Sequence, residues 1–234
     1  MNIDVCFTPR DYREREASPH IAVVIDVLRA TTSIATALYN GCRQFIPVAT
    51  VEEAKALQTT HFPDALLAGE REALLIPGFQ LGNSPYDYAR SAVEGRSIIM
   101  TTTNGTLALK AVAAASQVYT AAFVNAGAVC QRLADQKADI VVVCAGTQGR
   151  FSVEDTLCAG FIADRLLHDA ALSDTAIAAR AMYRDFSRNL VRRVKVTTHA
   201  SRLIRLGFEQ DIDYCLQQDI FPIAPVYADG RISL

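Results

Sequence analysis

Three short polar segments each follow an apolar run, and their residue types are those that bind phosphate and divalent cations. The first, residues 26–33, carries a carboxylate, a guanidinium and three hydroxyls. The second, residues 101–106, reads TTTNGT, and the third, residues 144–155, combines a glycine-rich turn with an arginine and two acids. Free backbone N–H groups at such turns and helix starts favour anions. Together the segments fit phosphoryl transfer, in which arginine, N–H groups and a metal hold the charge on the oxygens.

Three carboxylates and two arginines in these segments are the candidate catalytic groups. Asp26, Glu154 and Asp155 are candidate metal ligands or acid/base groups, and Arg29 and Arg150 are candidate anion ligands. Ligand sets made of oxygen alone favour Mg²⁺. Each segment by itself is more simply interpreted as a helix cap or an ion pair. Their recurrence at three strand ends favours a site, because α/β sheets bind ligands beside the carboxyl ends of their strands.

Other chemistries have less support. The four histidines are widely separated, so no zinc site is predicted, and neither GxxxxGK[ST] nor GxGxxG after a strand occurs. One alternative stays open, because Cys144 and Arg150 have the C-x5-R spacing of a cysteine-dependent phosphate loop. Val143 stands where that class of phosphatase usually has His, and a buried structural thiol is the simpler interpretation of Cys144.

Alternating apolar runs and helix-period segments predict the elements that position these residues, in the pattern of βα units around a parallel sheet. Strands are predicted at residues 21–28, 45–49, 65–68, 97–101, 118–123 and 139–144. Helices are predicted at residues 31–40, ended by Gly41, at 52–60, from Tyr86, from Asn104, after a cap at Asn125, and at 153–168. We therefore expect an α/β fold with a largely parallel or mixed central sheet.

The remaining segments predict a loop and a helical C-terminal part. Residues 76–85 lack periodicity and are predicted to form a long functional loop. Beyond Ser173 the pattern is mainly helical, and Asp229-Gly230 predicts a hairpin turn. Residues 1–172 are expected to form the catalytic core, and residues 173–234 to pack on it rather than form an independent domain.

Composition and charge exclude several classes of protein. Half of the 234 residues are hydrophobic, so the chain can bury a sizeable core. With 23 Lys and Arg against 25 Asp and Glu, it lacks the basic footprint of a nucleic-acid-binding protein. No apolar run approaches the roughly 20 residues that cross a bilayer, and residues 1–15 lack the basic segment, apolar stretch and cleavage site of a secretory signal. The six scattered cysteines are interpreted as reduced core thiols, and a cytoplasmic location is expected.

The chain resembles the 2-phosphosulfolactate phosphatase family, the ComB-like proteins of coenzyme M biosynthesis. The matching blocks are VVIDVLRATTSIATAL, GER with IPGFQLGNSP, TTTNGT and CAGTQGRFSVEDTLCAG, and they cover most of the first 160 residues. Residues 199–207 and 211–216 are similar in a looser way. The resemblance implies a magnesium-dependent hydrolase with a three-layer α/β/α fold. Its implied reaction is cleavage of the phosphate ester of 2-phospho-3-sulfolactate to 3-sulfolactate and phosphate.

Carried over position by position, the resemblance implies that Asp26, Glu154 and Asp155 are metal or acid/base carboxylates, and that Arg29 and Arg150 bind anions. The implied substrate-binding positions are Thr31, Thr32, Glu70, Arg71, Asn83, Ser84, Thr102, Asn104, Gly105, Thr106, Gly146 and Thr147. A small anionic phosphoester is the expected substrate, since several cationic groups in one crevice suit a polyanion.

The chain departs from the family pattern at three places. Ser33 stands where a third Thr is usual, Glu72-Ala73 replaces a commoner Gly-Gly, and Gln148 replaces a common Glu. The Gly-Gly loss concerns a loop near the expected sulfonate or carboxylate pocket, so it bears on substrate identity.

Several alternatives stay open at the level of sequence. They are attack by water or by Asp26 to form an aspartyl-phosphate, another small phosphoester as substrate, and a phospho-ligand binding module without catalysis. A homodimer is compatible with Ala-rich helices at residues 107–115 and 170–181. Nucleic acid and membrane partners are not expected.

Overall fold

A mixed β-sheet with helices on both faces is the frame of the molecule. The computed structural model describes residues 1–13, 15, 18–168 and 170–234. The strands within those residues are β1 (Asn2–Cys6), β2 (Ile21–Ile25), β3 (Gln44–Pro47), β4 (Leu66–Arg71), β5 (Leu74–Leu75), β6 (Ser97–Thr101), β7 (Gln117–Ala121), β8 (Ile140–Cys144), β9 (Ala171–Leu172), β10 (Val226–Ala228) and β11 (Arg231–Ser233). Their order in the sheet is β5-β4-β6-β3-β11-β10-β7-β2-β8-β1-β9.

Helices follow most of the strands. They are α1 (Pro9–Arg13), α2 (Ala30–Tyr39), α3 (Val51–His61), α4 (Arg90–Val93), α5 (Gly105–Ala111), α6 (Ala126–Gln136), α7 (Val153–Arg165), α8 (Asp174–Phe186), α9 (Leu190–Lys195), α10 (Thr198–Arg205) and α11 (Glu209–Cys215), with 3₁₀ turns at Pro85–Tyr88 and Ser187–Asn189. No helix of the described residues is both long enough and apolar enough to cross a membrane.

Strand β2 shows why the fold has three layers. Val23 and Ile25 belong to the apolar cluster that contains α6 to α8, whereas Ala22 and Val24 belong to the cluster that contains α2 and α5. Successive side chains of a strand point to opposite faces, so an uninterrupted apolar run is buried on both sides. The α/β class and the three-layer arrangement expected from the sequence are confirmed.

Two parallel blocks make up the sheet, and the C-terminal hairpin joins them. Strands β4, β6 and β3 are mutually parallel, as are β7, β2, β8, β1 and β9. Between the blocks, β10 pairs antiparallel with β7, and β11 pairs antiparallel with both β10 and β3. Asp229 and Gly230 turn this hairpin with φ of +49° and +75°, which confirms the predicted turn.

The three antiparallel steps of the hairpin reverse the strand direction, so the two blocks run in opposite directions. Strands β2 and β8 end side by side, with Ile25 paired to Cys144. The loop after β6 belongs to the other block, and it reaches the same place by direct contact of Gly105 with Asp26. The three polar segments therefore meet in space. Strand direction alone would place the loop after β6 at the opposite edge of the sheet from the loops after β2 and β8.

The C-terminal helices pack on α7 through a very close approach. A Cβ atom added to Gly160 would lie 2.1 Å from the carbonyl oxygen of Ala179 in α8, so only glycine fits there. Leu203 of α10 and Ile212 of α11 are buried in the same apolar cluster as α7. Two later helices are thereby held beside the strand ends.

Some predicted bounds are wrong, and long-range pairing explains the largest differences. The helix expected at residues 170–181 begins only at Asp174, because the Ala171 N–H donates to the Met1 carbonyl and residues 171–172 form β9 beside β1. Strand β1 itself was not predicted. The strand expected at 65–68 continues to Arg71, and the helix expected to reach His168 ends at Arg165.

The cap predicted at Asn125 also differs in detail. Asn125 stands at the N-cap position of α6, but its Oδ1 accepts from the Ala122 N–H and makes no cap bond. The helix end predicted at Gly41 is confirmed by its φ of +92°.

Candidate active site

A cleft of about 410 Å³ opens where the loops after β2, β4, β6 and β8 meet helix α10. Its walls combine carboxylates, arginines, hydroxyls and a histidine. Its polar and charged lining residues include Asp26, Arg29, Glu70, Arg71, Glu72, Asn83, Thr102, Asn104, Thr147, His199 and Arg202. Most of these positions were predicted from the sequence.

Asp26 stands directly after β2 and is buried, with 7% of its surface exposed. Its Oδ1 accepts a hydrogen bond from the Ala30 N–H at 3.3 Å, at the start of α2. Burial raises the pKa of Asp26 to about 6, while the Ala30 bond and His199 favour the charged form and Glu70 and Glu154 oppose it. A carboxylate with such a pKa can exchange a proton near neutral pH.

Glu154 and His199 form a buried pair beside Asp26. Glu154 lies in the first turn of α7, and its Oε1 is 2.7 Å from His199 Nδ1. Burial opposes a charge on His199, but the Glu154 hydrogen bond and the charges of Glu154 and Asp26 outweigh it and raise the pKa of the imidazole. Thr147 Oγ1 lies 3.4 Å from the same ring nitrogen. The carboxylates beside His199 therefore favour its protonated form at the wall of the cleft.

The environment of Asp155 differs from those of Asp26 and Glu154. Its Oδ1 accepts from the Val27 N–H at 2.8 Å, and its Oδ2 accepts from the Gly146 N–H at 3.0 Å. Burial and the neighbouring charges of Asp26 and Glu154 raise its pKa well above the usual range. Asp155 thus joins the ends of β2 and β8 through backbone N–H groups.

Arg29 lines the cleft but is also held by residues far away in sequence. Its guanidinium donates to Asp211 Oδ2 at 2.6 Å and to the Ala73 carbonyl at 2.8 Å, and it lies over the Phe208 ring at 4.3 Å. Ser84 donates to the other Asp211 oxygen. The charge of Arg29 is therefore compensated by Asp211, and Ser84 supports that ion pair from outside the cleft.

Glu70 and Arg71 organise the neighbouring loops. Glu70 Oε1 accepts from both the N–H and the hydroxyl of Thr103 at 2.8 Å, and Oε2 accepts from the Ala73 N–H at 2.8 Å. Arg71 donates to Thr101 Oγ1 at 3.1 Å. These bonds fix the β4–β5 turn against the loop after β6.

The TTTNGT loop comes unusually close to Asp26. A Cβ atom added to Gly105 would lie 3.1 Å from Asp26 Oδ2 and 3.0 Å from Ala30 Cβ, so a larger residue would be crowded. Thr102 and Thr106 bond to each other across the turn. Asn104 Oδ1 accepts from the Gln148 N–H at 3.0 Å and thereby connects this loop to the loop after β8.

Asn83, in the predicted functional loop, presents an unpaired acceptor. The residue lines the cleft with 6% of its surface exposed, and its Oδ1 receives no hydrogen bond from any residue that the structure describes. Ser33 Oγ donates to the Asn83 carbonyl at 2.8 Å and fixes the backbone there. An unpaired buried acceptor in a polar cleft points to a ligand or a water at that position.

Several predicted site residues lie outside the cleft. Thr31 and Thr32 donate their hydroxyl protons to the carbonyls of Asp26 and Val27, so they hold the strand end. Gly146, with φ of +71°, allows the turn after β8. Arg150 is exposed and lines a neighbouring cavity instead.

Cys144 is unsuited to the nucleophilic role that its spacing to Arg150 left open. It is completely buried at the end of β8, and burial together with Asp155 raises its thiol pKa well above 9.0. A thiol held neutral in this way is not a nucleophile at neutral pH. All six cysteines are buried and unpaired, which confirms their interpretation as core thiols.

The oxygen atoms of the site suit Mg²⁺ in part. Asp26 Oδ2, Glu154 Oε2 and Asn83 Oδ1 receive no hydrogen bond from the described residues. Mg²⁺ is usually held by one or two carboxylates and keeps several waters. Asp155 differs from expectation because backbone N–H groups occupy both of its oxygens, and no three His, Cys, Asp or Glu of the described residues are grouped as ligands. The pair Asp26 and Glu154 is the better fit.

Three functional residues were missed by reasoning on the sequence. His199 and Arg202 of α10 line the cleft, and Asp211 of α11 pairs with Arg29. The available signal was the looser family similarity of residues 199–207 and 211–216. Nothing local in those helices indicated contact with segments more than 40 residues away.

Comparison with known proteins identifies the family of the chain. A family model described as 2-phosphosulpholactate phosphatase matches residues 6–230. Three bacterial relatives carry the name "Probable 2-phosphosulfolactate phosphatase". The protein of Clostridium acetobutylicum is 39% identical over 99% of this chain and 100% of its own length. That of Symbiobacterium thermophilum is 42% identical over 94% and 96%, and that of Caldanaerobacter subterraneus is 43% identical over 96% and 95%.

The family match extends over nearly the full length of this chain and of these relatives, and the matched range includes the cleft residues Asp26, Asn83 and Asn104 as well as Glu154, which pairs with His199 at the cleft wall. The chain belongs to the 2-phosphosulpholactate phosphatase family, a family of phosphoric monoester hydrolases.

Proposed function

We propose that the protein hydrolyses the phosphate monoester of 2-phospho-3-sulfolactate, giving 3-sulfolactate and phosphate, with Mg²⁺ as its cofactor. The observation that carries the proposal is the convergence of Asp26, the Glu154–His199 pair and the unpaired Asn83 oxygen around one small cleft in a member of this family. The names of the relatives support the same substrate. A role in coenzyme M biosynthesis follows only from the resemblance.

We assign each residue of the cleft a role in binding or hydrolysing the phosphate ester. His199, whose pKa is raised, attracts the phosphate and neutralises charge on its oxygens. Asp26 Oδ2, free of hydrogen bonds, is open to one of two roles beside the phosphate: it takes the proton of the attacking water, or it holds the cation. Asn104 and the amide of Asn83, which line the cleft, orient the ester.

Asp26 and Glu154 are the residues proposed to hold Mg²⁺. When bound, the ion would neutralise phosphate charge and lower the pKa of a coordinated water. Three buried carboxylates in one region favour a bound cation, because burial, with repulsion from neighbouring carboxylates as a smaller cause, raises the pKa values of Asp26 and Asp155. A binding module without catalysis would gain nothing from such carboxylates.

We also propose that the protein is cytoplasmic and forms a homodimer. Six unpaired buried thiols suit a reducing compartment, which supports a cytoplasmic location. The homodimer remains a prediction that light scattering can test.

The replacement Asp26→Asn tests the proposed chemistry. We expect phosphate release from 2-phosphosulfolactate to fall by about 10²–10⁴-fold, because the amide can neither take a proton nor bind Mg²⁺ well. The matched control is Asp135→Asn, since Asp135 is an exposed carboxylate of α6 away from the cleft. Thermal unfolding of both variants shows that the fold is kept. Full activity of Asp26→Asn would remove Asp26 from the mechanism.

A further inference from the structure

A second cavity, of about 520 Å³, lies directly beside the cleft and is rich in arginine. The guanidinium groups of Arg150, Arg202 and Arg205 line it. Four residues line both spaces, namely Thr147, Gln148, His199 and Arg202. Single side chains therefore separate the two cavities, and one small molecule can contact both.

The arginines of this cavity lack the acidic partners that several other arginines of the described residues have. Arg180, Arg184 and Arg193, for example, each lie within 2.8 Å of a carboxylate oxygen. Across the described ranges, no carboxylate lies within 4 Å of Arg150 or Arg205, and Arg202 donates only to the Glu72 carbonyl.

The acidic residue among those that line the cavity is Glu154, and its charge is already paired with His199. The cavity thus carries a net positive charge. The first turns of α7 and α10 also face it with Val153 and Thr198. The positive ends of two helices reinforce the arginines but do not by themselves define the ligand.

We propose that Arg150, Arg202 and Arg205 bind the sulfonate of a substrate whose phosphate lies in the neighbouring cleft. This inference rests on the proposed function, which assigns the phosphate to Asp26 and His199. A sulfonate has three acceptor oxygens and stays ionised, so several guanidinium forks can bind it from different sides. Arg202, which lines both spaces, lies between the two anionic groups of the substrate.

The position explains why Arg150 is absent from the catalytic cleft. Arg150 is the last residue of a turn that begins at Thr147. The Thr147 N–H donates to the Arg150 carbonyl, and the Arg150 N–H donates to the Thr147 carbonyl. This turn carries the arginine past His199 and into the second cavity. Arg150 therefore contributes to recognition of the substrate rather than to the reacting phosphate.

Substrate preference is the first test. We expect Arg205→Gln and Arg202→Gln each to lower, by about tenfold, the ratio of kcat/KM for 2-phosphosulfolactate to kcat/KM for 2-phospholactate, which lacks the sulfonate. Arg205→Lys keeps the charge but not the fork and should lower the ratio less. The matched control is Arg192→Gln, since Arg192 is an exposed arginine of α9 that does not line the cavity, and this change should leave the ratio unchanged. An unchanged ratio in both Arg205→Gln and Arg202→Gln would overturn the proposal.

Direct binding separates this proposal from the proposed function. Calorimetric titration with 3-sulfolactate should show about tenfold weaker affinity in Arg205→Gln than in the unmodified chain. The same loss in a protein that releases no phosphate from any ester would support the sulfonate site while rejecting the phosphatase function. If Arg205→Gln weakens binding of inorganic phosphate and not of 3-sulfolactate, the cavity holds free phosphate and the proposal is wrong.

Discussion

Asp26, Glu154 and Asp155 are chemically similar side chains that the fold places in three different environments. Asp155 is fixed by two backbone N–H groups, Glu154 is paired with His199, and Asp26 keeps an oxygen free toward the cleft. Like charges so close together are costly unless some are protonated or compensated. The environment of each carboxylate therefore assigns its role, which the residue type alone does not.

Arg29 shows the limit of prediction at this scale. Its position after Asp26 predicted an anion ligand, and in the structure it lines the cleft but pairs with Asp211. Its partner Asp211 lies 182 positions further along the chain. A buried arginine requires such a partner, but the sequence does not say which of 25 acids supplies it.

Replacement of Cys144 tests whether the C-x5-R spacing has any catalytic meaning. We expect Cys144→Ser to keep the turnover of the folded enzyme, because the thiol is buried and its pKa is raised by that burial. The variant should lose about 1–3 kcal/mol of stability, since a hydroxyl is placed in an apolar site. Phosphate release and thermal unfolding measure the two effects. Loss of turnover at unchanged stability would return the chemistry to Cys144.

At the scale of elements, the β4–β5 turn carries Glu72-Ala73, one of the departures from the family pattern noted in the sequence. Glu72 and Ala73 both have left-handed backbone conformations, with φ of +56° and +73°. The commoner Gly-Gly adopts such conformations without strain. The turn nevertheless keeps its shape, because Glu70 accepts from the Ala73 N–H and Arg29 donates to the Ala73 carbonyl.

Restoring glycine in this turn should stabilise the fold. We expect Glu72→Gly to raise the free energy of unfolding by about 0.5–1 kcal/mol, because relief of the left-handed strain exceeds the entropy that glycine adds to the unfolded chain. The control is Glu72→Ala, which removes the same exposed carboxylate but keeps the strain. Urea unfolding compares the two variants. Equal stability of the Gly and Ala variants would show that the turn is unstrained.

Asp4 connects strand β1 to the start of α8. Its carboxylate accepts from Ser173 Oγ at 2.8 Å, from Thr175 Oγ1 at 2.9 Å and from Arg15 Nε at 3.0 Å. Partial burial opposes the charge, but these bonds outweigh it and hold the pKa of Asp4 below 3.8. The bonds therefore stabilise the fold above the unfolded pKa, and this stabilisation is lost as pH falls through the lower folded value.

We expect Asp4→Asn to be less stable than the unmodified chain by about 1–2 kcal/mol at neutral pH. The difference should shrink as acid protonates Asp4 in the unmodified protein. Urea unfolding of both proteins over a series of pH values measures it. A difference that stays constant as the pH falls below 3.8 would contradict the role given to the Asp4 carboxylate.

On the scale of the whole molecule, the C-terminal hairpin joins the two parallel blocks that carry the site. Tyr227 pairs with Val118 of β7, and Ile232 pairs with Phe45 of β3, so the last residues of the chain lie near the middle of the sheet. Loops from both blocks then meet at the cleft. The relative position of Asp26 and the TTTNGT loop therefore depends on a hairpin far from both in sequence.

The parts of this arrangement that depend on local pattern were predictable. The central strands and their helices follow from apolar runs and helix periodicity, and the polar segments after β2, β6 and β8 indicated the site. Strand β1 was not recognised because Asn2 and Asp4 interrupt its apolar pattern. The place of the hairpin in the sheet and the arrival of His199 could not be predicted, because both are set by contacts between segments remote in sequence.

The most direct test of the magnesium-dependent phosphatase is phosphate release from 2-phosphosulfolactate by the purified protein, first with Mg²⁺ and then with excess EDTA. We expect release with Mg²⁺, its loss in EDTA and its recovery when Mg²⁺ is restored, because the carboxylates of the cleft need a cation to face a phosphate. Turnover that resists EDTA would contradict the role given to Mg²⁺, and no release under any of these conditions would contradict the phosphatase itself.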